Sequence, residues 1–171
     1  MAIPSGTFGP GNGSLKIKTG KEGAAAKMGH DLVIAVNTWE ARIDGNGPTL
    51  LLTADPSSVE VLEGTGGAKP LSDKDKNDIK SNIAKKVLGS SQISFQSTGV
   101  QDHGTHMIVD GDLSIAGKSA PVSIPLTVVG DNVTGSVTLS QKDFGIKQFS
   151  AMMGALKVKD EVKVVLEGQL G

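Results

Sequence analysis

Short runs of alternating apolar and polar residues make up most of this chain, and this two-residue period limits its fold more than any other feature. In the clearest run, over positions 155–166, one parity carries the apolar residues Leu156, Val158, Val162, Val164 and Leu166. Successive side chains of a β-strand point to opposite faces, so the run predicts a strand with one buried and one solvated face. Glycine-containing turns return about every ten residues, which is typical of an all-β meander.

The same period predicts eight or nine strands, and the short connections between them indicate up-and-down order. They are expected over positions 14–19, 32–43, 49–54, 58–62, 92–100, 106–115, 122–128, 133–139 and 155–166. Pro125 lies within one of them. Because proline cannot donate to a β-ladder, it predicts a bulge, a bend or a locally unpaired edge at that point.

One segment has a helical period instead. Ser72 and Asp75 have the spacing of a capping box, and Gly89 is placed to end the helix. The apolar residues between them fall on one stripe, which consists of Ile79, Ile83, Val87 and Leu88. This helix is expected to cross or plug one opening of the barrel.

Composition excludes several classes of function. The chain has 171 residues, which suits a single domain over 1–171 with a flexible N-terminal segment over 1–13. Seventeen basic and 18 acidic residues give a net charge of -1, so no nucleic-acid partner is expected. The absence of cysteine excludes disulfides and thiolate sites. No signal-peptide pattern or apolar run long enough to span a membrane is visible, which predicts a cytoplasmic protein without an integral membrane segment.

Three ordered sequence blocks carry a resemblance to a known family. The helix leads into Ser91-Gln92-Ile93-Ser94-Phe95-Gln96-Ser97-Thr98. It is followed by Asp112-Leu113-Ser114-Ile115-Ala116-Gly117-Lys118-Ser119-Ala120-Pro121-Val122 and later by Lys142-Asp143-Phe144-Gly145-Ile146. In this order the blocks resemble the YceI-like family, although the stretches over 13–19 and 29–32 depart from the family's common pattern.

The resemblance implies an eight-stranded antiparallel, up-and-down, lipocalin-like barrel with one α-helix inserted between strands. Family members hold polyisoprenoid chains or related isoprenoid lipids, often dimerise and are frequently exported. For this chain the resemblance therefore implies non-catalytic binding, transport or sequestration of a long apolar lipid, such as a polyisoprenoid or a quinone tail. A homodimer is compatible with it, and neither a cofactor nor a metal is expected.

Residues expected to line the barrel interior and its mouth are mostly aliphatic, and the methionines among them have flexible side chains suited to a chain entering the barrel. The predicted set is Leu15, Ile17, Met28, His30, Trp39, Val59, Val61, Ile93, Phe95, Met107, Val109, Leu113, Val122, Ile124, Phe144, Phe149, Met152, Leu156 and Val158. Alternation alone does not separate a ligand-holding interior from a dry core.

Two other functions stay open at this point. His30 beside Asp31 has the residue types of an acid-base pair, so a small-substrate enzyme that uses His30 is one alternative. A packed structural or interaction module without an internal ligand is the other. His103 and His106 have a spacing that suggests a metal pair, but an exposed hairpin turn explains them better.

Overall fold

A computed structural model of the protein describes residues 5–46, 49–67 and 69–170, apart from the side chains of Ala151 and Met152. The strands are β1 Gly6–Phe8, β2 Gly13–Lys18, β3 Lys21–Glu22, β4 Asp31–Val36, β5 Trp39–Asp44, β6 Thr49–Ala54, β7 Val59–Thr65, β8 Ile93–Asp102, β9 Met107–Ile115, β10 Lys118–Val129, β11 Asn132–Ser140, β12 Ser150–Ala151, β13 Leu156–Val158 and β14 Glu161–Gln169. Helix α1 covers Asp73–Asn82 and continues as a π-helical turn over Ile83–Leu88. Short 3-10 turns cover Ala26–Met28, Pro56–Ser58, Gln141–Phe144 and Met152–Gly154.

Eleven strands form one curled antiparallel sheet in the order β1-β5-β6-β8-β9-β10-β11-β14-β2-β4-β7, and β12, β13 and β3 form a small second sheet. Strand β4 runs into β5 through Asn37 and Thr38, and β6 runs into β7 through the Pro56–Ser58 turn. We count β4 with β5 as one bent segment and β6 with β7 as another, and we leave out the short β1. The main sheet then consists of eight segments that follow one another in up-and-down order. The predicted all-β, barrel-like architecture with one helix is confirmed, whereas the strand count differs in detail.

Two predicted strands are interrupted. The strand expected over 32–43 bends where Asn37 N–H donates to the Ser58 carbonyl and Asp55 N–H donates to the Thr38 carbonyl. These bonds join the two halves of the bent hairpin at its corner. The strand expected over 155–166 is divided into β13 and β14 by Lys159 and Asp160. Alternation continues across the second break and does not reveal it. At the first break the buried parity changes from Ile34 and Val36 to Trp39, Ala41 and Ile43.

The N-terminal segment corrects another expectation. Residues 1–13 were expected to be flexible, but β1 pairs with β5 and places Phe8 opposite Ala41. Phe8 is 1% exposed, and its ring meets that of Trp39 edge to face at a centroid distance of 5.9 Å. Burial of this large ring supplies a tertiary stabilisation that local sequence signals do not contain. Residues 1–4 lie outside the described part of the chain.

The wall of the sheet opens beside Pro125. Strand β10 pairs with β9 without a register shift, but its described pairing with β11 covers only Leu126–Val129. Of the outcomes predicted for Pro125, the structure thus shows the locally unpaired edge. The 3-10 turn Gln141–Phe144 packs against β10 there, and Phe144 and Ile146 are buried. Gly145 between them has a φ of 69°, a conformation that favours glycine.

The helix forms as its sequence predicts. Ser72 N–H donates to Asp75 Oδ2 at 3.0 Å, and Asp75 N–H donates to Ser72 Oγ at 3.1 Å, which completes the capping box. Gly89 follows the helical segment with a φ of 65°. The helix packs beside β7 with its apolar stripe toward the sheet interior. It therefore covers one end of the curled sheet.

Candidate ligand cavity

The covered end of the sheet encloses a cavity of about 390 Å³. Its wall combines inward-facing strand residues with Ile79, Ile83, Val87 and Leu88 of the helical segment. This volume lies in the range of about 300 to 1,000 Å³ that is usual for small-molecule sites. We call this part of the interior the hollow end.

Most of the residues predicted to line an interior site meet at this cavity. They are Leu15, Ile17, Met28, His30, Val59, Ile93, Phe95, Leu113, Ile124, Phe144, Phe149, Leu156 and Val158. The strand residues among them come together because they occupy the inward parity of strands whose ends meet at the same end of the sheet. Met28, His30, Phe144 and Phe149 reach the cavity from turns and connecting segments. Their placement around the cavity is a structural fact, and their contact with a ligand stays a prediction.

Five predicted residues lie away from the cavity. Trp39 packs against Phe8, while Met107 and Val109 surround a void of only about 10 Å³. Val61 is 5% exposed and Val122 is half-buried against the core, and neither lines the cavity. Alternation gave these residues the correct face but not their position along the strand. The side chain of the sixth, Met152, lies outside the described part of the structure.

The structure adds lining residues that the prediction did not include. Leu32, Ile34 and Val36 of β4 and Leu52 and Ala54 of β6 all contact the cavity. In β4 the apolar run covers both parities and its pairing with β7 shifts between Val33 and Ile34, so alternation could not choose a face. The helix stripe was visible in the sequence, but its contact with the cavity required the tertiary structure.

Polar and charged residues also contribute to the lining of the cavity. Lys21 and Lys157 line it, and Lys21 Nζ donates to the Gly29 carbonyl at 2.9 Å. The Nζ atom of Lys86 lies 5.6 Å from the centre of the Phe149 ring, which also lines the cavity. No aspartate or glutamate occurs among the described lining residues. The charged residues among the described lining are therefore all basic.

His30 also lines the cavity. Its Nε2 atom lies 2.6 Å from the Lys69 carbonyl oxygen. Because a carbonyl only accepts hydrogen bonds, His30 carries a proton on Nε2 and donates it there. This bond anchors the histidine to the loop that leads to the helix. Asp31, its predicted acidic partner, is exposed.

Lowered carboxyl pKa values occur at turns, at the helix cap and at one position within strand β9. Hydrogen bonds from the Ser57 hydroxyl and N–H lower the pKa of Asp55, and the Ser72 N–H and hydroxyl lower that of Asp75. The Gly104 N–H lowers the pKa of Asp102, and the Ser123 hydroxyl and Gln101 amide lower that of Asp110. None of these four carboxyls lines the cavity. Their shifts therefore relate to folding and not to cavity chemistry.

His103 and His106 stack at a hairpin turn, with ring centres 5.2 Å apart and planes inclined by 17°. Across the described ranges, no three or more His, Cys, Asp or Glu residues are grouped as metal ligands would be.

No helix in the part of the chain that the structure describes combines the length and apolarity needed to cross a membrane.

Comparison with known proteins agrees with this architecture. Residues 5–170 match the family model of the YceI-like domain. A UPF0312 protein of Shewanella baltica is 32% identical over 89 residues, which cover 46% of this chain and 45% of that protein. A UPF0312 protein of Shewanella sp. strain ANA-3 is 28% identical over 101 residues, covering 53% and 51%. The chain thus matches about half the length of these curated relatives.

Solved structures show the same fold at low identity. Burkholderia cenocepacia BcnA superposes with a TM-score of 0.63 at 19% identity, covering 91% of this chain and 94% of BcnA. A Campylobacter jejuni YceI protein superposes with a TM-score of 0.55 at 14% identity, covering 78% and 81%. At these identities the likeness concerns the fold alone.

Proposed function

This chain belongs to the YceI-like family, and we propose that it is a non-catalytic binding protein that holds the apolar chain of an isoprenoid-type lipid. The family is not a known enzyme family. The observation that carries the proposal is the cavity of about 390 Å³, whose wall is almost entirely aliphatic and aromatic. The lipid would be carried or sequestered there, away from water.

The inward-facing side chains support this role. Ile17, Ile124 and Val137 face the cavity and stay half-buried. An apolar chain in contact with them would remove both surfaces from water. Each transferred methylene contributes about 0.8 kcal/mol, so roughly ten would contribute on the order of 8 kcal/mol. Association itself costs about 4 to 15 kcal/mol, which makes a close fit along the cavity necessary.

A matched pair of substitutions tests the proposal. Val137 faces the cavity, whereas its neighbour Thr138 is exposed on the opposite face of β11. Val137→Phe would place a ring in the cavity, and Thr138→Phe would add the same ring in solvent. We expect Val137→Phe to weaken binding of the neutral prenyl alcohol geranylgeraniol about tenfold or more. Thr138→Phe should bind like the unchanged protein.

Binding is measured by displacement of a fluorescent apolar probe, and native mass spectrometry detects the bound lipid by its mass. Thermal melting of both variants checks that they fold. If the folded, unchanged protein shows no saturable binding of geranylgeraniol and releases no lipid on denaturation, the proposal is wrong. Equal binding by the two variants would place the site outside the cavity and contradict it too. The same spectra test whether the protein forms the homodimer that the family resemblance implies.

A further inference from the structure

We propose that the outer surface of the hollow end docks on a lipid bilayer that contains anionic phospholipids. Exposed lysines would contact the phospholipid head groups, and exposed methionines would enter the apolar layer beneath them. The inference rests on the proposed function in one respect, since docking would let the lipid pass between bilayer and cavity without crossing water. It goes further by naming the partner with which the protein exchanges the lipid.

Charge is distributed unevenly between the two ends of the sheet. The described connections between main-sheet strands at the hollow end cover positions 19–30, 66–67, 69–92, 116–117 and 141–160. These positions hold 12 of the 17 basic residues and six of the 18 acidic ones, a net charge of +6. The rest of the chain has a net charge of -7. The total of -1 therefore conceals a polarised molecule, which an anionic surface would orient with its hollow end toward the lipid.

Positive charge is concentrated where the helical segment ends. The three aspartates of this segment all precede Lys80, whereas Lys85 and Lys86 follow it and are exposed. The Nζ atom of Lys86 lies 5.6 Å from the centre of the Phe149 ring. Phe149 belongs to the 141–160 connection and lines the cavity. The basic end of the helical segment thus lies beside a wall of the cavity.

Two exposed methionines lie at the same end. Met28 is 54% exposed and also lines the cavity, and Met153 is fully exposed. The turns that carry them are neighbours, because Ala25 N–H donates to the Ala155 carbonyl at 2.8 Å. Met28 therefore borders both the cavity and solvent. Apolar side chains in these positions gain free energy when lipid replaces the water around them.

A bilayer fits this combination better than other polyanions do. Nucleic acids and acidic proteins would pair with the lysines but offer no apolar layer to the methionines. Single-stranded nucleic acid typically stacks on aromatic side chains, whereas the exposed apolar side chains here are methionines. Proteins that lie on a membrane combine basic residues for the head groups with apolar residues for the acyl boundary. Charge and apolar exposure together therefore indicate a lipid surface.

Cosedimentation with vesicles measures the docking. Vesicles of equal parts phosphatidylcholine and phosphatidylglycerol are compared with vesicles of phosphatidylcholine alone. Each lysine near an anionic bilayer increases the partition coefficient about fivefold, so we expect the protein to bind the mixed vesicles at least about tenfold more tightly. Added salt should weaken this binding, because it screens the charges.

Two variants of equal net charge test where the lysines act. Lys85→Gln/Lys86→Gln changes the hollow end, and Lys16→Gln/Lys163→Gln changes strands β2 and β14 of the wall. We expect the first variant to bind the mixed vesicles about tenfold or more weakly, and the second to stay within about threefold of the unchanged protein. None of the four lysines lines the cavity, so binding of geranylgeraniol without vesicles should not change in either variant. Melting temperatures check that both variants fold.

A fluorescent label tests which end enters the bilayer. The chain has no cysteine, so Met153→Cys and Val129→Cys each create a single attachment site. Val129 is 69% exposed at the hairpin between β10 and β11, at the opposite end of the sheet. An environment-sensitive dye at position 153 should shift its emission to the blue when mixed vesicles are added. The same dye at position 129 should not respond.

The results that would overturn the proposal are distinct from a failure of the proposed function. Equal binding to mixed and neutral vesicles, or no binding to either, would show that docking is wrong, and geranylgeraniol binding would still support the proposed function. Equal losses in the two lysine variants, or equal dye responses, would refute the assignment to the hollow end. An oligonucleotide that binds as tightly as mixed vesicles would refute the assignment to lipid. Docking without any binding of geranylgeraniol would leave the docking surface and refute the proposed function.

Discussion

The two ends of the sheet interior are built from the same kinds of aliphatic residue, but only one end is filled. At the end opposite the helix, Val109, Leu126 and Val133 are at most 1% exposed. We call this the packed end. At the hollow end, Ile17 and Val137 also face inward, yet they stay half-buried along the cavity.

Two large rings fill the packed end. Phe8 and Trp39 meet edge to face at the packed end. The strands leave room for them, because a β-carbon at Gly168 would collide with the Phe8 ring and one at Gly13 would press on the Trp39 ring. A small barrel interior is either filled by side chains or large enough for a ligand. Here the Phe8–Trp39 pair fills the packed end, whereas Phe95, Phe144 and Phe149 border the cavity at the hollow end.

The largest expected effect compares the same deletion at the two ends. Phe8→Ala should lower the free energy of unfolding by about 3 to 5 kcal/mol, because it leaves a void in a filled core. Phe149→Ala should cost about 1 kcal/mol, since its half-buried ring borders the cavity and gains less from burial. Urea denaturation measures both. Equal costs would show that the two ends are packed alike.

A smaller effect is expected from adding bulk on one strand. Val133 and Val137 share the inward face of β11, the first at 0% exposure in the packed end and the second at the cavity. Val133→Phe should destabilise the protein by about 1 to 3 kcal/mol through overpacking. Val137→Phe should change the unfolding free energy by less than about 1 kcal/mol, because the cavity accepts the ring. If urea denaturation shows that Val137→Phe is the more destabilising of the two, the free space lies near Val133 and not near Val137.

The smallest effect concerns the helix over the hollow end. Removing its cap by Ser72→Ala should lower the free energy of unfolding by about 1 kcal/mol. The loss should be local, so hydrogen exchange should speed up at residues 79–88 while the packed end keeps its protection. Uniformly faster exchange would indicate that the helix and the packed end unfold together.

The same cap predicts a pH dependence. The Ser72 N–H and hydroxyl lower the pKa of Asp75 below its ordinary value of 3.8. Its stabilising effect is therefore complete above the pKa of the unfolded chain and disappears as the pH falls through the lower pKa of the folded protein. Asp75→Asn should be less stable than the unchanged protein at neutral pH, and the two should converge in acid. A difference that persists in acid would assign the effect to something other than the carboxylate charge.

Local signals were sufficient wherever one element decides its own structure. Alternation predicted one buried face for Leu156, Val158, Val162, Val164 and Leu166. All five line the cavity, even though Lys159 and Asp160 divide the strand. The capping box and the apolar stripe also predicted the helix and its inward side. The sequence block over residues 142–146 was recognised as a motif, but its position over the gap between β10 and β11 was not visible from the sequence.

The sequence by itself determined the inward face of the clearly alternating strands, the up-and-down order of the strands and the capped helix, because each depends on neighbours a few positions apart. Only the tertiary structure decided which inward residues border a cavity, that Phe8 fills the opposite end, and that Lys21 borders the cavity and donates to the Gly29 carbonyl. Those outcomes depend on side chains that face each other across the sheet from distant parts of the chain. A two-residue period specifies a face but carries no information on what lies across from it.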